Sequence, residues 1–131
     1  MNDTARPDSA ARPTVLVVDD DRAFCTTIRM ILELEGHRVL TATSGRAAIT
    51  QAALDPPAVV LLDLSMPGMD GYQTQAALRA QTPDVPVVFM STRDRVWREA
   101  AAHQAAGALP KPFDVDLVLD TVARFIPPPA P

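Results

Sequence analysis

The stretch Val59-Val60-Leu61-Leu62-Asp63-Leu64-Ser65-Met66-Pro67-Gly68 constrains this chain more than any other. Four apolar residues run straight into one carboxylate, and a loop built on Pro67 and Gly68 follows. An apolar run with no polar alternation predicts a strand buried on both faces, the kind found in parallel sheets covered by helices. In open parallel sheets, ligands bind outside the carboxyl ends of the strands, so Asp63 falls where chemistry is normally placed. Alone, Asp63 reads equally well as a strand-end residue that starts a turn.

A second stretch has the same form. Val15-Leu16-Val17-Val18 runs into Asp19-Asp20-Asp21. If the two strands are parallel neighbours, both open on one face, and Asp19, Asp20 and Asp63 crowd one site. Clustered carboxylates raise each other's cost of ionising. A hard divalent cation relieves that cost, and Mg²⁺ needs only one or two carboxylates because it keeps several waters. An acidic Mg²⁺ pocket at strand ends suits phosphoryl transfer.

The chain has 131 residues, the length of one domain with a real core. Its net charge of −4, with no basic run, argues against phosphate-backbone contact with nucleic acid. Cys25 is the sole cysteine, so an internal disulfide or cysteine metal site is excluded, and a buried structural thiol is expected. The first residues are polar and lack the apolar core of a signal peptide. No apolar run is long enough to span a membrane, and a cytoplasmic location is expected.

Strands and helices alternate along the chain five times, the pattern of a parallel α/β sheet. Residues 1–13 read as a disordered tail, 14–126 as the domain and 127–131 as a Pro-rich, stiff tail. After the strand Thr14 to Val18, Asp20 or Asp21 caps a helix with the stripe Phe24, Ile28, Ile31 and Leu32, which Gly36 ends. His37 follows at the turn and reads as structural. Arg38 to Ala42 is a strand, Ser44 caps a helix to about Leu54, and Ala58 to Leu62 is the central strand. A helix runs from Gly71 to Gln81. Pro86 to Met90 is a strand ending in Ser91 and Thr92. Asp94 caps a helix from Arg95 to Ala106, and Gly107 to Leu109 is a short strand before Lys111-Pro112-Phe113. The last helix places Val115, Val118, Leu119, Val122, Phe125 and Ile126 on one face.

Five features coincide: the acidic pair after the first strand, Asp63 after the third, and Met66-Pro67-Gly68-Met69-Asp70-Gly71, then a hydroxyl residue ending the fourth strand and Lys111-Pro112-Phe113 after the fifth. As a set they resemble the receiver domain of two-component response regulators, over about Thr14 to Ile126. The resemblance implies a flavodoxin-like, doubly wound α/β fold with five parallel strands in the order 2-1-3-4-5 and five helices in a three-layer sandwich. It implies that Asp63 accepts a phosphoryl group from a sensor histidine kinase or histidine phosphotransfer protein. Asp20 then matches a direct Mg²⁺ ligand, Asp19 a ligand acting through water, and the Ser65 backbone carbonyl a third protein ligand. Ser91 matches the switch hydroxyl, favoured over Thr92 by counting from Pro86. Lys111 matches the lysine that pairs with a phosphoryl oxygen, and the Lys111-Pro112 bond is expected to be cis. The downstream effector is expected on the face of helix four, strand five and helix five, with the chain a monomer or weak dimer.

There is one departure. Receivers usually carry an aromatic on strand five, where this chain has Ala108. Trp97 on the fourth helix is a candidate to supply the missing bulk, or else is a half-exposed aromatic. Ser65 and Arg93 are expected to flank the path of water to the phosphoryl group, with Arg93 lying over the pocket or pointing to solvent. Two other functions compete. One is a pseudo-receiver, an interaction module that is never phosphorylated; the intact acid, hydroxyl and lysine set argues against it. The other is a haloacid-dehalogenase-type phosphatase, for which Asp19-Asp20-Asp21 offers the Asp-x-Asp spacing. Ala23 stands where that family has Thr or Val, and the chain is short for that fold.

Overall fold

The computed structural model describes residues 13–126. Five strands and five helices alternate there: β1 Thr14–Val18, α1 Arg22–Leu34, β2 Arg38–Ala42, α2 Gly45–Leu54, β3 Val59–Asp63, α3 Gly71–Gln81, β4 Val87–Thr92, α4 Arg93–Ala102, β5 Gly107–Lys111 and α5 Val115–Ala123. All strands pair in parallel, in the order β2-β1-β3-β4-β5. The expected tails, 1–12 and 127–131, lie outside the described residues; Pro13, also assigned to the first tail, is described and exposed.

Alternation along the strands sorts the core into two layers. Leu16, Val18, Val60, Leu62, Phe89 and Ala108 pack on the face covered by α2, α3 and α4. Val15, Val17, Val59, Leu61, Met90 and Leu109 pack on the opposite face, against Cys25, Ile28 and Leu32 of α1 and Val118 and Val122 of α5. Every residue of β1 and of β3 is buried, which is why neither reads as a polar–apolar alternation.

Local signals set the helix ends. The Asp21 carboxylate, not that of Asp20, caps α1 by accepting from Phe24 N–H. Beyond its end, Gly36 has a φ of +89°. There Gly36 N–H donates to Glu33 O and His37 N–H to Leu32 O, closing the turn as a Schellman motif that only a glycine adopts without strain. Ser44 caps α2 as expected. Asp70 and Gln73 form a capping box at the start of α3.

Several boundaries differ from the sequence reading. β3 includes Asp63, which pairs with Met90 of β4, and β5 continues past Leu109 to Lys111, because Pro110 and Lys111 pair with Ser91 and Thr92 at the end of β4. α4 therefore begins at Arg93 behind Thr92, with Asp94 in its first turn rather than at its cap. That helix ends at Ala102, four residues early, where the chain turns through Gln104 at φ 55°. α5 ends at Ala123, so Phe125 and Ile126 follow the helix, and Val115 is 45% exposed because burial begins one turn later, at Val118.

Candidate functional site

Asp19 and Asp63 stand at the carboxyl ends of the adjacent strands β1 and β3. Both are buried, whereas Asp20 is exposed. Carboxylate oxygens of Asp19, Asp20 and Asp63 lie within 4.8 Å of one another. Asp19 Oδ1 accepts the Asp21 N–H at 3.0 Å, and Asp63 Oδ1 accepts the Ser65 N–H at 3.3 Å. Burial pushes the Asp63 carboxyl above its ordinary range, and the Asp19 charge pushes the same way; the Lys111 ammonium and the Ser65 N–H partly offset them. Three oxygen donors so close together match a hard divalent cation, and the raised Asp63 is the cost such a cation would remove.

The ammonium of Lys111, at the end of β5, hydrogen-bonds Asp19 Oδ2 and lies 3.6 Å from Asp63 Oδ1. The Lys111-Pro112 bond is cis. Ser91, one residue past the register partner of Asp63 on β4, is buried at 3% exposure. Its Oγ has no hydrogen-bond partner among the described residues. Thr92 is exposed and makes no side-chain cap bond, so of the two adjacent hydroxyls it is Ser91 that faces inward. Burial also pushes the Cys25 thiol up to about 11, while its Sγ donates to the Asp19 carbonyl, as befits a structural thiol.

At the rim, Arg93 is exposed, and the arginine that reaches the loop after Asp63 is Arg95. Its Nη1 donates to Ser65 Oγ at 3.1 Å and its Nη2 to the Tyr72 hydroxyl at 3.2 Å. Tyr72 donates in turn to Glu99 and stacks on His103 with ring centroids 4.2 Å apart. Trp97 is 53% exposed and lies outside the core cluster that holds Ala108. Phe89, the register partner of Ala108, supplies the bulk there, with Tyr72 edge-on to it at 6.0 Å. Sequence reasoning missed Arg95 and Tyr72. The Arg95–Glu99 spacing of four residues marks a helix-face pair, but nothing local points either side chain toward Ser65.

The sheet order, the acidic strand ends and the Lys111 ammonium among them define a flavodoxin-like α/β domain with an acidic site at its strand ends. Residues 15–123 match the family model of the response regulator receiver domain, and the chain belongs to that family. It is 39% identical over 112 residues to the response regulator protein FleR of Pseudomonas aeruginosa, covering 84% of this chain and 24% of that protein. It is 41% identical over 108 residues to the response regulator MprA of Mycolicibacterium vanbaalenii, covering 80% of this chain and 46% of that protein. The chain thus spans less than half the length of these curated relatives. Among solved structures, the Vibrio cholerae chemotaxis protein CheY4 superposes with a TM-score of 0.79 at 30% identity, covering 88% of this chain and all of that one. The receiver domain of NtrX from Brucella abortus superposes with a TM-score of 0.79 at 28% identity, over 86% of this chain and 97% of that one.

Proposed function

We propose that this receiver domain is the phosphoacceptor of a two-component phosphorelay and that Asp63 takes the phosphoryl group from a sensor histidine kinase or histidine phosphotransfer protein. An Asp63 oxygen forms the new bond to phosphorus. The phosphorus–nitrogen bond of the donor breaks, and its electron pair leaves with the imidazole. Asp19, Asp20, Asp63 and the Ser65 backbone carbonyl would hold Mg²⁺, which when bound neutralises charge on the phosphoryl oxygens. Lys111 neutralises the same charge from the other side of the carboxylate pair. The Ser91 hydroxyl donates to a phosphoryl oxygen once it arrives.

The observation that carries this reading is the unpartnered, buried Ser91 hydroxyl. A buried donor without an acceptor costs about 1–3 kcal/mol. A module that only binds partners gains nothing from that cost, whereas a phosphoacceptor supplies the acceptor oxygen. The replacement of the strand-five aromatic by Ala108 favours the second reading, a receiver that binds partners without being phosphorylated. The downstream effector is assigned to the face of α4, β5 and α5, and the site to signalling rather than to turnover of a substrate.

Acetyl phosphate with Mg²⁺ separates the readings. The intact protein should gain one phosphoryl group, lost on hydroxylamine treatment, and Asp63→Asn should gain none. No gain in the wild type would leave the interaction module. A gain that survives Asp63→Asn would move the site elsewhere.

A further inference from the structure

Phe24 sits in the first turn of α1, where an apolar stripe accounts for it as core. Its ring is only half-buried, and the Lys111 ammonium lies over its face, 4.3 Å from the centroid. That is well inside the range, within about 6 Å, in which a ring face attracts a cation. Phe113 meets the Phe24 ring edge-on, with centroids 5.5 Å apart and planes at 85°. The ring is thus held between α1 and the segment after β5.

The contacts around the ammonium close a circuit. Asp19 Oδ1 accepts the Asp21 N–H, and Asp21 Oδ1 accepts the Phe24 N–H. The Phe24 ring carries Lys111, which returns to Asp19 through Oδ2. A lysine ammonium has three N–H donors. Here it has three neighbours: Asp19, Asp63 and the ring face.

We propose that Phe24 is a positioning residue for Lys111. This rests on the phosphoacceptor reading above and deepens it. The hydrogen bond to Asp19 and the ion pair with Asp63 alone would pin the ammonium in the resting geometry. When phosphoryl oxygens arrive at Asp63, the ammonium must shift from Asp19 toward them. A ring face attracts the cation without demanding a fixed donor angle, so it holds the ammonium over the site while letting it pivot. An aliphatic side chain of the same size would fill the space and leave the lysine held by the two carboxylates alone.

The test varies the π-face while keeping the shape. Phe24 is replaced by mono-, di- and trifluorophenylalanine, and separately by leucine. Three quantities are read on the full chain: the ring-current shift of the Lys111 ε-protons by NMR, the rate of acyl phosphate formation from phosphoramidate with Mg²⁺, and the melting temperature. The wild type should show upfield Lys111 ε-protons, and Phe24→Leu should return them to the ordinary position. The phosphorylation rate should fall stepwise with fluorination, to roughly a half to a fifth at the end of the series, while the melting temperature stays level. Rates that do not follow fluorination at constant melting temperature would overturn the proposal and leave Phe24 as core. If the wild type takes up no phosphoryl group, the phosphoacceptor reading fails on its own. The ε-proton shift then still decides whether the ring holds the ammonium, and unshifted ε-protons in the wild type would overturn it.

Discussion

At Asp63 two raising influences, burial and the Asp19 charge, outweigh two lowering ones. An unfolded chain ionises this carboxyl near its ordinary value of 3.8, and the fold ionises it only at higher pH. Between those two values the folded state holds the extra proton, so this carboxyl favours the fold most below 3.8, and that contribution is lost as pH rises through the raised value. Asp63→Asn removes the charge and with it the loss. In a divalent-chelating buffer at neutral pH, Asp63→Asn should melt a few degrees above the wild type, and the gap should close on acidification. An equal or lower melting temperature for the variant at neutral pH would show that Lys111 already compensates the charge. Ser91 offers the complementary case. Replacing its unpartnered hydroxyl with alanine removes a buried polar group and no observed bond. Chemical denaturation of Ser91→Ala should therefore show stability unchanged or higher by about 1 kcal/mol. A large destabilisation would mean that the hydroxyl has a partner in the resting state.

Two elements shape the loop after Asp63. The start of α3 presses on the end of β3 at Gly71. A Cβ built there would lie 2.8 Å from Leu64 Cα and 3.0 Å from the Asp63 carbonyl, both backbone atoms that cannot give way. Gly71→Ala should destabilise the fold by about 1–3 kcal/mol and slow phosphorylation, read as a lower urea midpoint and a lower rate of acyl phosphate formation. From the other side, α4 holds the loop through Arg95 on Ser65 Oγ, and Tyr72, itself held by Glu99, braces that guanidinium. On the phosphoacceptor reading, a looser Ser65 would admit water to the phosphoryl group. Arg95→Ala should thus speed loss of the phosphoryl group several-fold, equivalent to roughly 1 kcal/mol of barrier, while Arg93→Ala changes it little. The decay after donor removal, at fixed Mg²⁺, checks both; an effect from Arg93 alone would return the shielding role to the residue two past Ser91.

Across the whole molecule, the sheet separates a packed interior from a charged rim at the strand ends. No helix among the described residues is long and apolar enough to cross a membrane. Three carboxylates at one end concentrate repulsion that folding must bear, so a cation bound only by the fold should stabilise it. At a hundredfold excess over its dissociation constant, a cation held there would add about 2.7 kcal/mol. The melting temperature should rise with Mg²⁺ concentration, and Asp20→Asn, an exposed position, should weaken that rise without unfolding the chain. A melting temperature indifferent to Mg²⁺ would remove the cation from the reading.

The fold was legible because its signals are local. Apolar runs ending at Asp19 and Asp63 mark doubly buried strands, Gly36 and Ser44 mark helix ends, and five alternations of strand and helix specify a parallel sheet. The set of motifs from Asp19 to Lys111 carried the family, and with it the strand order. Pairing between distant strands is not written in either strand alone, so the extension of β5 through Pro110 and Lys111 could be seen only in the sheet. The same holds for side chains far apart in sequence. Phe24 obeys a helical stripe whether or not Lys111 lies over it, and Arg95 obeys a helix face whether or not Ser65 is within reach. Periodicity records which face of an element is turned inward. Which partner waits there depends on how the elements cross, and only the packed tertiary structure decides that.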